Sequence, residues 1–270
     1  MIEKDQKGIE PIMNPGCHCP AGAMIYTPVH LIEQFRGHRL VVRSDDPQSF
    51  PQHLTGDLLE QIEYLQLTDF EADPSPLMKW ESVFPLDLVM PAPGREFPHL
   101  YAFAPLLDRG PVRVSITVAE GMEKAVKLAA SLRFSVKIIP EQPDADQVMQ
   151  LIRLADFYLK NPTIEEPVEF FHSLFFSMVN GEIATLWDIL EKAPARYCYV
   201  SNDGQIATGQ PVIKPHEACA DCTYRPWCLG FFKYPDPDYD CEAVFPLFDH
   251  LFKAASELKQ DLTASSASPS

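Results

Sequence analysis

The sequence predicts an α/β fold: a partial parallel β/α barrel, followed by a small Cys-rich β-hairpin and a C-terminal helix. Three observations indicate this. Short apolar stretches typical of strands alternate with amphipathic helical segments through the middle of the chain. Two short β-type segments then flank an Asp-Gly turn. Beyond the turn, four cysteines cluster ahead of a final helical pattern.

The β/α alternation is clearest in the middle of the chain. The predicted strands there are Leu86–Met90, Val112–Val118 and Val136–Ile139, and the predicted helices are Leu100–Leu107, Gly121–Leu132 and Asp144–Tyr158. Strands separated by helices pair in parallel through right-handed crossovers, so we expect a parallel sheet. We count three or four such units, fewer than the eight of a closed β/α barrel.

Further elements are predicted on either side of this region. His38–Arg43 has the composition of a short strand, and Leu58–Leu67 has apolar residues at helical spacing after a Thr-Gly-Asp cap. Glu165–Met178 and Ile183–Leu190 are predicted as helices, and a last helix is expected from about Cys241 to Lys259.

The composition changes after Pro194, which suggests a second domain. Arg196–Val200 and Gln205–Thr208 are predicted to form the two strands of the hairpin. The expected organisation is an irregular N-terminal arm (1–28), a β/α partial-barrel domain (29–194), a Cys-rich iron–sulfur domain (195–259) and a disordered tail (260–270).

Charge and composition exclude several functions. The formal net charge is −16, which argues against a nucleic-acid partner and against docking on anionic lipid, and favours solubility or a basic partner. There is no apolar run near the roughly 18 residues of a membrane span, and the N-terminus has no secretory pattern. We therefore expect a cytoplasmic protein, where clustered cysteines indicate metal or redox chemistry more often than disulfides.

The four clustered cysteines have the spacing C-x2-C-x5-C-x12-C. They are Cys219, Cys222, Cys228 and Cys241. Four thiolates can hold either tetrahedral zinc or one [4Fe–4S] cluster. Zinc ribbons usually use two C-x2-C pairs and only one is present, while aromatics and prolines between the ligands would exclude water. The spacing favours the iron–sulfur cluster, with structural zinc and incidental buried thiols as alternatives.

This region resembles the SPASM/twitch auxiliary-cluster region of radical S-adenosylmethionine peptide-modifying enzymes. The resemblance rests on the hairpin, the C-x2-C-x5-C spacing, Trp-Cys-Leu-Gly and the later cysteine before a helix, and covers about residues 196–255. It implies one auxiliary cluster on the four cysteines. Cys198 lies where the first ligand of a second cluster would fall, but Phe232 stands at the position of another of that family's cysteines. The second cluster site is therefore expected to be lost.

The sequence departs from that family in its radical machinery. No C-x3-C-x2-C triplet is present to bind a catalytic cluster, so cleavage of S-adenosylmethionine is not expected. The resemblance then implies a degenerate relative. Such a protein would transfer electrons to a protein partner, a radical enzyme or its peptide substrate, or would scaffold it, in peptide modification or cofactor maturation.

The N-terminal pair Cys17 and Cys19 is the candidate for catalysis. The two thiols could complete a metal site, donate a persulfide or form a redox pair, or they could be incidental. Whether the protein is an enzyme is left open at this stage. A stand-alone metalloenzyme using the cluster with Cys17 or Cys19 and a structural zinc protein are the alternatives to the auxiliary role.

Overall fold

A computed structural model describes residues 19–206 and 217–266. These residues form one curled sheet of eight parallel strands in the order β7-β6-β5-β4-β3-β2-β1-β8. The strands are β1 (Met24–Pro28), β2 (Arg39–Ser44), β3 (Ile62–Leu67), β4 (Leu86–Met90), β5 (Val112–Thr117), β6 (Ser135–Ile139), β7 (Val168–Glu169) and β8 (Tyr197–Tyr199).

The helices lie mainly between the strands and at the C-terminal end. They are α1 (Ser49–His53), α2 (Ser75–Lys79), α3 (Pro93–Glu96), α4 (Leu100–Phe103), α5 (Met122–Ser131), α6 (Ala145–Lys160), α7 (Phe171–Asn180), α8 (Leu186–Ile189), α9 (Arg225–Cys228) and α10 (Phe245–Ser266). Short 3-10 helices cover Val29–Phe35, Gly56–Gln61, Phe97–His99, Ala104–Asp108, Glu217–Cys219, Phe231–Lys233 and Cys241–Val244. In the two described ranges, no helix combines the length and apolar character needed to cross a membrane.

The strand order is that of a β/α barrel left open on one side. Each strand from β1 to β7 pairs with the next, and β8 returns to pair in parallel with β1. The two edges of the sheet are β7 and β8, so the opening lies between them. The predicted α/β class, partial parallel barrel and C-terminal helix are therefore confirmed, although the sheet has more strands than the three or four predicted units.

The two faces of the sheet differ in character because successive side chains of a strand point to opposite faces. On β4, Leu86, Leu88 and Met90 belong to the apolar core that the helices cover, whereas Asp87 does not. We call the face turned away from the helices the inner face. Its polar side chains include Tyr26, Arg39, Arg43, Tyr64, Gln66, Asp87, Arg113, Ser115, Lys137, Glu169 and Tyr199.

Two predicted helices are wrong. Leu58–Leu67 contains a 3-10 helix followed by β3, because the alternation of the last six residues lets β3 bond to strands on both sides. Glu165–Met178 contains the short edge strand β7, which pairs with β6, before α7 begins at Phe171. Pro167 precedes β7 and disfavours a continuous helix there.

The predicted boundaries at both ends also need correction. The arm expected to be irregular up to residue 28 contains β1, which lies between β2 and β8 and whose Ile25 and Tyr26 are buried. The tail expected to be disordered from residue 260 continues α10 as far as Ser266. Residues 1–18, 207–216 and 267–270 are outside the described ranges.

The predicted Cys-rich hairpin is not seen as a separate unit. Its first strand, β8, joins the main sheet beside β1, where Tyr199 stacks on Tyr26 at a ring distance of 4.3 Å. One antiparallel bridge joins Val200 to Ile206 across the Asp-Gly turn. The remainder of the predicted second strand, to Thr208, lies outside the described residues. Burial of the tyrosines and of Cys198 favours the sheet over an isolated hairpin.

A carboxylate from outside the sheet joins the strands of the inner face. Glu191 follows α8 and accepts hydrogen bonds from Tyr26 Oη at 2.8 Å and from Tyr64 Oη at 3.0 Å. It also pairs with Arg113 Nη1 at 3.1 Å and with Lys137 Nζ, which is buried. Glu191 thereby connects β1, β3, β5 and β6 across the inside of the half-barrel.

Asp87 supplies the second negative charge of the inner face. It is almost fully buried on β4 and accepts from Arg113 Nη2 at 3.0 Å, Gln66 Nε2 at 2.9 Å and Ser115 Oγ at 2.7 Å. Arg113 is therefore held between two carboxylates. Buried charges require such partners because the desolvation cost of an unpaired ion is several kcal/mol.

We expect Glu191→Gln to destabilise the fold. The substitution keeps the shape of the side chain but leaves Lys137 buried without its counter-charge, a loss of about 3–5 kcal/mol in the free energy of unfolding. Urea denaturation measures it. The matched control is Glu33→Gln, which removes an exposed ion pair with Arg36 and should cost no more than about 1 kcal/mol. Equal losses in the two variants would contradict the role given to Glu191.

The same residue predicts a pH dependence. Burial raises the pKa of Glu191. Lys137 and Arg113 together have a larger, opposite effect, so the pKa falls from the ordinary value of 4.5 to about 2. A carboxyl whose folded pKa is depressed stabilises the protein above the unfolded pKa and loses that contribution as pH falls. The stability difference between the wild type and Glu191→Gln should be largest above pH 4.5 and should shrink as pH falls from 4.5 toward 2. A difference that stays constant over that interval would refute it.

Candidate metal-cluster site

The four predicted cysteines line one cavity of about 240 Å³. Cys219 ends a 3-10 helix, Cys222 follows it, Cys228 is the last residue of α9, and Cys241 begins the 3-10 helix that leads into α10. None of the four is in a disulfide. The structure thus brings thiols from separate segments of the C-terminal region to a shared space.

Aromatic side chains form much of the cavity wall. Tyr224 stacks on Phe248 of α10 with ring centroids 4.8 Å apart and contacts Phe245 at 5.3 Å. Phe232 meets Phe248 edge to face at 6.3 Å. Phe232 and Phe248 are almost fully buried. These rings make part of the wall apolar, as the interleaved aromatics of the sequence led us to expect.

The turn after Cys228 is shaped to present backbone amides to its sulfur. Leu229 and Gly230 both have positive φ, 44° and 75°. This conformation is unfavourable for the leucine but has no steric cost for the glycine. The amides of Phe232, Phe231 and Gly230 hydrogen-bond to the Cys228 sulfur. Such N–H groups stabilise a thiolate.

An indole from the barrel side anchors this turn. Trp187 of α8 donates from Nε1 to the carbonyl oxygen of Leu229 at 3.0 Å, and its ring meets Phe231 edge to face. Trp187 is almost fully buried. The contact connects the half-barrel directly to the segment that carries Cys228.

Charge near the cavity is mixed. Lys233 and Arg225 line it together with Asp240 and Glu242. Burial raises the pKa of Cys241 to about 11; Lys233 lowers it in part, and the other three cysteines raise it. Burial likewise raises the pKa of Cys228, against its three amide donors. Binding of a metal group to these thiols would release protons.

The arrangement of the cysteines bears on the size of the group they could hold. Within residues 19–206 and 217–266, no three or more His, Cys, Asp or Glu side chains are grouped to hold one metal ion. A water-sized sphere needs only about 10–15 Å³, so the cavity has room for a group of several atoms. The thiols therefore surround a common space without closing around one ion.

Cys19 lies elsewhere and is already paired. It forms a disulfide with Cys198 of β8, with 5.9 Å between the two Cα atoms. Cys198 is buried and in register with Ile25 of β1. This disulfide was not predicted from the sequence, and because of it Cys19 is not a free nucleophile. The partner of Cys19 is set by the position of β8 beside β1, which sequence spacing does not reveal. Cys17, its predicted redox partner, lies outside the described residues.

Sequence reasoning also missed the charged cluster of the inner face. Asp87, Arg113 and Lys137 each stand inside an otherwise apolar strand, at positions that alternate with core residues. That pattern was a usable signal, because a charge within a buried strand needs a partner. Glu191, which pairs with Arg113 and Lys137, lies in the loop after α8 and has no comparable pattern in the sequence around it.

Comparisons with known proteins do not add a family to these observations. Searches against protein-family models, curated proteins and solved structures each found no match to this chain. The interpretation of the cysteine cavity therefore rests on its own geometry and on the sequence motif. That motif is the cysteine spacing in which the chain resembles a SPASM/twitch region.

The two cysteine environments predict different reactivity. In protein unfolded without reductant and treated with an alkylating agent, we expect Cys19 and Cys198 to be recovered as one cross-linked peptide pair. Cys219, Cys222, Cys228 and Cys241 should be recovered alkylated once any metal is chelated. Peptide mapping by mass spectrometry measures both. Recovery of Cys198 cross-linked to one of the four cavity cysteines would contradict the structure.

Proposed function

We propose that this chain is an iron–sulfur auxiliary protein. One [4Fe–4S] cluster, held by Cys219, Cys222, Cys228 and Cys241, would transfer electrons to a protein partner or help to scaffold it in peptide modification or cofactor maturation. The observation that carries the proposal is the cavity itself. Four unpaired cysteines line one space that has room for a group of several atoms, and aromatic rings form part of its wall.

The residues around the cavity fit such a group. Cysteine thiolates are the ordinary ligands of iron–sulfur clusters, and hydrogen bonds to sulfur help to set the reduction potential. The amides of Gly230, Phe231 and Phe232 would supply those bonds at Cys228, and aromatic rings cover part of the wall. A bound cluster would supply one-electron transfer. With a thiolate for each iron, no iron position would be left for substrate, which favours an electron-transfer or scaffolding role.

Two observations weigh against direct catalysis by the candidates of the sequence. The C-x3-C-x2-C triplet needed for S-adenosylmethionine cleavage is not in the sequence. Cys19, the described member of the N-terminal pair, is bonded to Cys198 and is not free to attack a substrate. The auxiliary role therefore has more support than a stand-alone metalloenzyme.

A basic partner surface is part of the proposal. The chain carries a net charge of −16, and the loop from Asp236 to Asp240, whose last residue lines the cavity, is acidic and mostly exposed. Complementary charge raises association rates and orients the partner. An acidic rim beside the cluster would favour docking at the shortest distance for electron transfer.

Metal and spectroscopic measurements on anaerobically purified full-length protein test the cluster. We expect a brown protein with about four irons per chain and the absorption and electron paramagnetic resonance signals of a [4Fe–4S] cluster. Cys228→Ser should lose most of the iron. Cys198→Ser, a cysteine outside the cavity, is the matched control and should retain it.

The opposite results are equally definite. A colourless protein with one zinc per chain would replace the cluster by a structural zinc site. Loss of iron in Cys198→Ser to the same extent as in Cys228→Ser would show that iron content reports general folding and not ligation.

A further inference from the structure

Arg43 is the cation of the inner face that lacks a counter-charge. Its Nη2 donates to the carbonyl oxygen of Val200 at 2.9 Å, and its Nε is buried without a hydrogen-bond partner. Among residues 19–206 and 217–266, no carboxylate forms an ion pair with it. Burial lowers the pKa of Arg43, while the nearby Tyr199 and Tyr26 oppose that effect. A guanidinium nevertheless stays charged in a protein.

Arg113 and Lys137, two further cations of this face, are paired with carboxylates. Arg113 also has a buried Nε without a partner, but it pairs with both Asp87 and Glu191. Lys137 pairs with Glu191. Among the residues that the structure describes, Arg43 is thus the cation of this cluster with which no carboxylate pairs, in a chain whose net charge is −16.

The next acidic side chain along the sheet does not supply the missing charge. Glu169, on the edge strand β7, accepts a hydrogen bond from Ser173 of α7 at 2.6 Å. Arg43 is on β2, which is five strands away from β7 in the strand order of the sheet. Glu169 therefore does not pair with Arg43.

The position of Arg43 is that of a ligand-binding residue. It is the penultimate residue of β2, in register with Pro28 at the end of β1 and with Gln66 near the end of β3. In β/α barrels and open parallel sheets, ligands bind at the carboxyl ends of the strands. Arg43 thus combines a partly desolvated cation with the edge of the sheet at which small molecules are bound.

We propose that Arg43 is the anchor of an anion site at the carboxyl end of the half-barrel, which binds a carboxylate or phosphate group of a small molecule. The flat guanidinium matches either oxyanion, which it would bind through the terminal N–H groups that do not donate to Val200. The site is separate from the cysteine cavity. It does not depend on whether that cavity holds a cluster.

Thermal melting and calorimetry with inorganic phosphate and with succinate test this site. Sodium chloride at equal ionic strength corrects for general salt effects. We expect at least one of the two anions to raise the Tm of the wild type and to bind with a measurable Kd. Arg43→Gln should bind that anion at least about tenfold more weakly, because the positive charge and the paired N–H donors of the guanidinium are lost. The anion that responds distinguishes a phosphate ligand from a carboxylate ligand.

Arg39→Gln is the matched control. Arg39 is on the same strand, is exposed and is already paired with Glu63 at 2.5 Å, so its loss should leave anion binding unchanged. If Arg43→Gln does not fold, Arg43→Lys is the second variant. It keeps the positive charge but not the paired N–H donors of the guanidinium, and it should bind the anion more weakly than the wild type. The proposal fails if neither anion raises the Tm beyond sodium chloride. It also fails if the folded Arg43 variant binds as tightly as the wild type. Iron content measured on the same samples reports the cysteine site separately.

Discussion

The carboxylate of Glu191 is the interaction on which this half-barrel depends. Two cations, Arg113 and Lys137, stand on the inside of adjacent strands, and each would carry a large desolvation cost alone. Glu191 forms ion pairs with both and also accepts hydrogen bonds from the hydroxyls of Tyr26 and Tyr64. Glu191 thus links four strands across the interior of a sheet that is not closed by pairing between its edge strands.

The connection that carries Glu191 also reaches the cysteine region. Trp187 of α8 holds the carbonyl of Leu229, next to Cys228, while Glu191 two residues beyond α8 enters the half-barrel. Tyr199 Oη donates to the backbone carbonyl of Glu191 at 2.7 Å and ties the same connection to β8. The short segment from Trp187 to Glu191 therefore couples the position of the thiols to the packing of the sheet.

The molecule has two polar regions with opposite electrostatic needs. On the inner face, Arg43 has no ion pair with a described carboxylate, whereas Arg113 and Lys137 do. The cysteine cavity has thiols whose pKa is raised by burial, with an acidic loop at its rim. The first would gain from an anionic ligand and the second from a cationic metal group. Both needs follow from desolvation, which penalises a charge without a partner wherever it is buried.

The sequence by itself determined the β/α alternation, the strand Leu86–Met90 and the four cysteines that share a cavity, because periodicity and close spacing are local signals. Tertiary structure alone decided that residues 62–67 form a strand, since that depends on bonds to β2 and β4. It also decided the pairing of Cys19 with Cys198, 179 residues apart, and the meeting of Glu191 with Lys137. Those contacts join distant parts of the chain, and no local pattern encodes the strand order that brings them together.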